Sequence, residues 1–282
     1  MPTSPPRSLS GQVIIVTGAG AGIGLATARR LIAEGARVVL ASLESEEALR
    51  PVLDSLTGDA QYVQTDVRLE ADVQHLIDRA VTLHGRIDGL VNNAGVTVQR
   101  DFLEVSVADF DDLIATNLRS VFLCSQRAAR VMQGHGGVIV NIASNHAART
   151  LPRFDIYAAT KGGIVSLTRA MAWSLGPLGI RVLTVSPGLT IVERLQNWLD
   201  HDPQGLQHEQ HYREAHASGH SNTPDDVAGV IAFALSSAAR GMTGSELLVD
   251  NGMSALLFRD LRPAPTSPNV PAPGAGDLHE DH

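Results

Sequence analysis

The chain has almost no cysteine. Cys124 is the only one among 282 residues, so no internal disulfide can form and a reducing compartment fits. Its setting, NLRSVFLCSQRAARVM, suits a buried structural thiol better than a reactive one. A basic excess is missing as well: 30 acidic side chains face 22 Lys and Arg, for a net charge of −8. Nucleic acid and anionic membrane surfaces both demand a basic footprint, so neither is expected as the main partner; a small anionic ligand stays open. No apolar stretch approaches membrane-spanning length. The first residues, MPTSPPRSLS, lack the charged start and apolar run of a signal peptide. A soluble cytoplasmic protein is expected.

What is present is enough apolar content, 44%, for one sizeable core but not for two domains. Residues 1–8 and 260–282 are rich in Pro and small polar residues and read as tails. Between them, over 9–259, short apolar runs alternate with amphipathic stretches. VIIVT, RVVLA, AQYVQTD, IDGLVN, GVIVNIAS, IRVLTVSPG and ELLVDNG read as strands. Helices are expected from IGLATARRLIAEG, ESEEALRPVLDSL, EADVQHLIDRAVTLHG, an unbroken 109–132, YAATKGGIVSLTRAMAWSLG and DDVAGVIAFALSS. Pro51 should join its helix only near the first turns or with a kink. Several strands are apolar on both faces, which implies a parallel sheet covered on both sides. The expected fold is a single α/β domain, a Rossmann-like doubly wound sheet, with its ligand at the carboxyl ends of the strands.

Two features carry chemistry. TGAGAGIG (17–24) links the first strand to the first helix, where glycines let the backbone approach a pyrophosphate and the helix N-terminus favours its charge. Its spacing is not G-x-G-x-x-G: Gly18, Gly22 and Gly24 form T-G-x-x-x-G-x-G, with Gly20 extra and Ile23 where the usual pattern has its third glycine. Tyr157 and Lys161 stand one helical turn apart on a shared face. A free tyrosine is too weak an acid for proton exchange near neutrality, and an adjacent ammonium favours its phenolate. An ordinary surface pair would share that spacing. Ser144, at a strand end thirteen residues earlier, can reach the same pocket, and Asn117 adds a fourth polar group.

With these residues the chain resembles the short-chain dehydrogenases/reductases. The match includes TGAGAGIG, Asp66-Val67, Asn92-Asn93-Ala94-Gly95, Asn117, Ser144, Tyr157-x-x-x-Lys161, Pro187-Gly188 and VDNG (249–252), in order, over about residues 10–258. The resemblance implies an NAD(P)-dependent oxidoreductase acting on a secondary alcohol or ketone. Tyr157 would be the general acid/base, Lys161 would lower its pKa and hold the nicotinamide ribose, Ser144 would position the substrate oxygen, and Asn117 would hold a relay water. Asp66 would meet the adenine and Asn93 line the cofactor cleft, together with Gly18, Gly20, Gly22, Ile23, Gly24, Ser42, Val67, Ala94, Gly95, Pro187, Gly188 and Thr190. Helix capping and loop hydrogen bonding are the plain alternatives for Asp66 and Asn93. One departure is Val192 in the place of a family threonine, so a side-chain hydrogen bond from 192 is lost.

The family's substrate cavity is walled here by NHAARTLPRF, VTVQRD and a lid over about 190–222. Asn145, His146 and Arg149 in the first wall favour a small polar substrate: a sugar, polyol or hydroxy acid. His201, His208, His211, His216 and His220 have spacings that could pair on a helix face, but solvated lid residues account for them better than a metal site. A carrier-bound 3-oxoacyl reductase and a cofactor-sensing regulator without turnover are the alternatives. A homotetramer or homodimer is expected from the apolar residues of 109–132 and 157–175. Ser42 sits where an acid would read the ribose of NAD, residue 43 is Leu, and Glu44, Glu46 and Glu47 oppose a phosphate. NAD is expected over NADP, with no carboxylate gripping the ribose.

Overall fold

The computed structural model describes residues 8–256; apart from Ser8, the tails expected at 1–8 and 260–282 lie outside the described residues. Seven strands, β1 (Val13–Thr17), β2 (Arg37–Ser42), β3 (Ala60–Gln64), β4 (Gly89–Asn92), β5 (Gly137–Ile142), β6 (Ile180–Pro187) and β7 (Glu246–Val249), form one sheet in the order β3-β2-β1-β4-β5-β6-β7. Every pairing is parallel. The fold is the doubly wound, Rossmann-like α/β arrangement that the alternation implies.

Side chains alternate across a strand, so a sheet covered on both faces needs apolar residues at every position. All five residues of β1 are buried. Ile14 and Val16 pack with Leu31 of α1 (Gly22–Ala33) and Val227 and Ile231 of α9 (Pro224–Leu235). Ile15 faces the other way, into Val73, Leu76 and Ile77 of α3 (Glu70–His84) and Ala128 and Met132 of α5 (Ser120–Met132). Cys124 lies in this second layer, its thiol pushed up to about 12 by burial, which makes it a packing residue. Strand order reverses beside β1, between β2 on one flank and β4 on the other. The crevice beyond the carboxyl ends of β1 and β4 is therefore the ligand position of this topology.

One expectation needs correction. The helix over 109–132 is not continuous: α4 (Val107–Ile114) and α5 are separated by a π-helical turn, Ala115–Arg119. Such turns occur where a side chain is needed out of α-helical register, and this one contains Asn117. The lid region, assigned no elements from the sequence, carries α7 (Glu193–His201) and α8 (Gly205–Glu214). They meet tightly because residue 205 is glycine; a Cβ there would lie 1.9 Å from the Leu199 carbonyl oxygen. The remaining helices are α2 (Glu46–Asp54), which does contain Pro51, and α6 (Asp155–Leu175).

Candidate active site

The glycine turn is built around close approach. A Cβ on Gly24 would sit 2.1 Å from the Gly18 carbonyl oxygen, and one on Gly18, whose φ is +64°, 2.8 Å from Ala94 Cα. No side chain caps the N-terminus of α1, and no acid lies in its first turn. Its amide groups are left for an anionic ligand. Thr17 fastens this turn to the loop after β4: its hydroxyl accepts from the amides of Asn93 (3.0 Å) and Ala94 (3.1 Å) and donates to Val91 O. Asn93 Nδ2 donates to the carbonyls of Thr17 and Gly18, both at 3.0 Å. Thr17 did not stand out in the sequence; its place before the first glycine was the only signal.

At the adjoining strand ends, Ser42 is buried and Val67 is buried beneath the sheet edge. Asp66 accepts from the Arg68 amide (2.9 Å) and from Arg68 Nη2 (2.7 Å). These bonds to Arg68 hold its carboxyl below the usual range. Beyond β6, Gly188 donates its amide to Val249 O, and a Cβ there would meet Asp250 Cβ at 2.6 Å. Thr190 donates its hydroxyl to Gly188 O at 3.1 Å and bridges to Asn222. Val192 then lies over the glycine turn, its Cγ1 3.2 Å from where a Gly22 Cβ would be. The segment after Pro187-Gly188 thus reaches back across the crevice. An uncapped helix start, a cradle that side chains would fill and flanking hydroxyl and amide groups fit a dinucleotide.

Lys161 brings the reactive group together. It is 5% exposed, donates from Nζ to Ile142 O at 3.0 Å, and lies 5.6 Å from the Tyr157 ring centroid. Burial brings its pKa down to about 8. Asn117 Oδ1 and Lys161 Nζ both crowd Gly95, at 3.2 and 3.6 Å from the place of a Cβ. The π-helical turn aims Asn117 there: Oδ1 accepts from Val96 N and Nδ2 donates to Val96 O, each at 2.9 Å. Thr160 completes the link, accepting from Asn117 Nδ2 (3.3 Å) and donating to Tyr157 O (2.7 Å). Gly163 lets α6 approach this turn, since a Cβ would be 3.0 Å from Leu118. Ser144, buried at the end of β5, accepts from the His146 amide at 3.2 Å. The His146 ring in turn stands edge-on to Tyr157 at 5.5 Å, with Phe154 beside both.

Of the three side chains named for the substrate wall, only His146 is shown against Tyr157. Its Nδ1 pairs with Thr150 Oγ1 at 2.8 Å, and burial holds its pKa below the usual value. Asn145 donates to Met253 Sδ at 3.4 Å, and Arg149 to Leu256 O at 2.7 Å; both tie the loop to the segment after β7. The lid histidines divide. His201, His211 and His220 are exposed, and His208 stacks between Trp198 and Tyr212. His216 is not solvated: it is 2% exposed, with Nδ1 2.6 Å from Tyr212 O. The cause is its place at the end of α8, where the chain turns in against the β7 segment and Ser218 N meets Asn251 O. Among the described residues no group of three or more His, Cys, Asp or Glu is placed to hold a metal ion, and no helix is long and apolar enough to cross a membrane.

A family model described as enoyl-(acyl carrier protein) reductase matches residues 18–254. A short-chain dehydrogenase/reductase of Armillaria gallica is 35% identical over 251 residues, covering 86% of this chain and 96% of that one. This chain belongs to the short-chain dehydrogenase/reductase family. It is accordingly an oxidoreductase. A meso-2,3-butanediol dehydrogenase of Serratia marcescens is 37% identical over 245 residues, 86% of this chain and 95% of the relative. The crystal structure of levodione reductase superposes with a TM-score of 0.81 at 32% identity, covering 88% of this chain and 99% of that one.

Proposed function

We propose that the chain is an NAD(P)-dependent dehydrogenase/reductase interconverting a secondary alcohol and a ketone, with Tyr157 exchanging the proton. The observation that carries this is the buried ammonium of Lys161, packed on the Tyr157 ring and crowding Gly95 together with Asn117. An ammonium in a water-poor site stabilises the phenolate far more than one in solvent. In the oxidative direction the substrate hydroxyl gives its proton to Tyr157, Ser144 holds the oxygen, and the proton passes by way of Lys161 and a water held by Asn117 toward solvent. Bound NAD(P) supplies the hydride acceptor or donor. Gly18, Gly20, Gly22, Ile23 and Gly24 would hold the diphosphate, with Asn93, Ala94, Gly95, Pro187, Gly188 and Thr190 along the cleft and Asp66 and Val67 at the adenine.

For the substrate we infer a small polar alcohol with a second oxygen, such as a vicinal diol, polyol or hydroxy acid. His146, its pKa held below the usual value by burial and its ring set against Tyr157, supplies a polar wall. The relative named a butanediol dehydrogenase supports the same class. NAD is the proposed cofactor and a homotetramer or homodimer the proposed assembly. The test is a screen of reduced-nicotinamide absorbance with NAD and NADP against diols, polyols, sugars, hydroxy acids and acetoacetyl thioesters. Turnover of a diol or polyol supports the reading. Turnover of the thioester alone would overturn the substrate class in favour of an acyl reductase.

A further inference from the structure

The end of β2 has no acid, yet a carboxylate is there. Glu44 lies two residues beyond the strand, and its Oε2 comes to 3.3 Å from the position of a Cβ on Gly20; Ser42 Oγ is 3.1 Å from the same point. The turn 42–44 is folded over the glycines by two side chains at β3. Gln64 Nε2 donates to Leu43 O at 3.0 Å. The Tyr62 hydroxyl lies 3.0 Å from Ser42 O and also meets Glu44 O. Ser42 Oγ stands 3.2 Å from that same hydroxyl. Carbonyls only accept, so the single Tyr62 proton goes to one of them and the Ser42 proton goes to Tyr62. The serine's one proton is thereby turned inward, leaving its oxygen only as an acceptor, and the three carbonyls of the turn face β3.

We propose that Glu44, rather than Ser42, reads the adenosine ribose, and that Tyr62 is a positioning residue that holds Glu44 over the glycine turn. The second strand of this topology ends beside that ribose, where a carboxylate accepts from the 2′-hydroxyl and repels a 2′-phosphate. No cation offsets it among the neighbours that the structure shows. Arg50 pairs with Glu46 at 3.1 Å, Arg68 with Asp66, and Leu43 is exposed on the turn itself. Glu47, in the first turn of α2, is a further acid close in sequence, while the charge of Glu46 is offset by Arg50. This proposal rests on the dinucleotide reading of the site.

The experiment measures the Kd of NADH and of NADPH by nicotinamide fluorescence, without turnover, for the wild type, Glu44→Gln, Tyr62→Phe and the double variant. The wild type should bind NADH more tightly. Glu44→Gln should move the ratio of the two Kd values toward NADPH by about tenfold, the size of one charge-assisted hydrogen bond. Tyr62→Phe should move it in the same direction by about threefold and add nothing in the Glu44→Gln background, as expected for a residue acting through Glu44. General loosening of the turn would weaken both ligands and leave the ratio alone. A Glu44→Gln ratio within about twofold of wild type, or a wild type preferring NADPH, overturns the role of Glu44. Full additivity of Tyr62→Phe overturns its positioning role. Failure of the wild type to bind either dinucleotide would instead sink the functional reading beneath it.

Discussion

Lys161 is a cation held where a cation is costly. Its pKa of about 8 reflects burial that a single bond to Ile142 O does not offset. A base with a depressed folded pKa binds fewer protons in the native than in the unfolded state between the two values. Stability from this group therefore rises with pH between about 8 and its ordinary value near 10.5. The full excursion is worth about 3 kcal/mol. Cys124, raised to about 12, acts in the opposite sense above the ordinary thiol range, so the comparison must be differential. The unfolding free energy of Lys161→Met minus that of wild type should fall across this window by about that amount, read from denaturant curves at stepped pH. A flat difference would show that Lys161 titrates normally. On activity, Tyr157→Phe should lower turnover by about 10²–10⁴-fold while NADH affinity holds, because the phenol serves proton exchange. Lys161→Ala should damage both, as two roles meet in one side chain.

At the scale of elements, all seven strands and the main α-helices were legible, because a buried parallel strand declares itself as an unbroken apolar run such as VIIVT. The proposed catalytic set came from several signals together: the helical spacing of Tyr157 and Lys161, shared by ordinary surface pairs, gained weight from Ser144 at a strand end and from Asn117. Three other features did not emerge from the sequence. The π-helical turn at 115–119 leaves no periodic mark, since its cause is a contact distant in sequence, Asn117 with the backbone of Val96. The lid helix α8 is too polar for a helical stripe to stand out, whereas the short α7 does space Leu195, Trp198 and Leu199 on one face. Glu44 reaches the glycine turn only because Tyr62 and Gln64 bend the chain, a tertiary effect that no rule about the last strand position contains. The bulge has a testable cost. Asn117→Ala removes two part-buried hydrogen bonds to Val96 and a buried one to Thr160, so stability should fall by about 2–3 kcal/mol. Turnover should fall much further than NADH affinity. Equal losses in both would mean that Asn117 only braces the loop.

For the whole molecule, the uneven cover of the apolar surface is the informative quantity. Of the residues that suggested self-association, Leu113, Val121, Ile164 and Val165 are buried within the chain itself. Phe122 on α5 and Trp173 on α6 are not; Trp173 is 88% exposed. Phe102, Leu103 and Val107 at the approach to α4 are also exposed, Leu103 at 91%. Phe102, Val107 and Phe110 line an apolar groove of about 410 Å³ with Ile156 and Ala159. The groove lies on the side of α6 away from Lys161, so it is distinct from the reactive cleft. Large exposed apolar side chains are a liability in a monomer and the usual content of an interface. Two helices presenting the same faces to a second copy give a closed, self-complementary contact, the default symmetry for such assemblies. Wild-type protein should therefore sediment as a dimer or tetramer at micromolar concentration. Trp173→Glu and Phe122→Glu, each placing a charge at an exposed position, should shift the population toward monomer and leave the far-ultraviolet circular dichroism unchanged. A wild type that sediments only as monomer would defeat the assignment. If instead both variants keep the wild-type sedimentation coefficient, these faces are not the interface, and the exposed residues at the groove beside α4, Phe102, Leu103 and Val107, are the next to be changed.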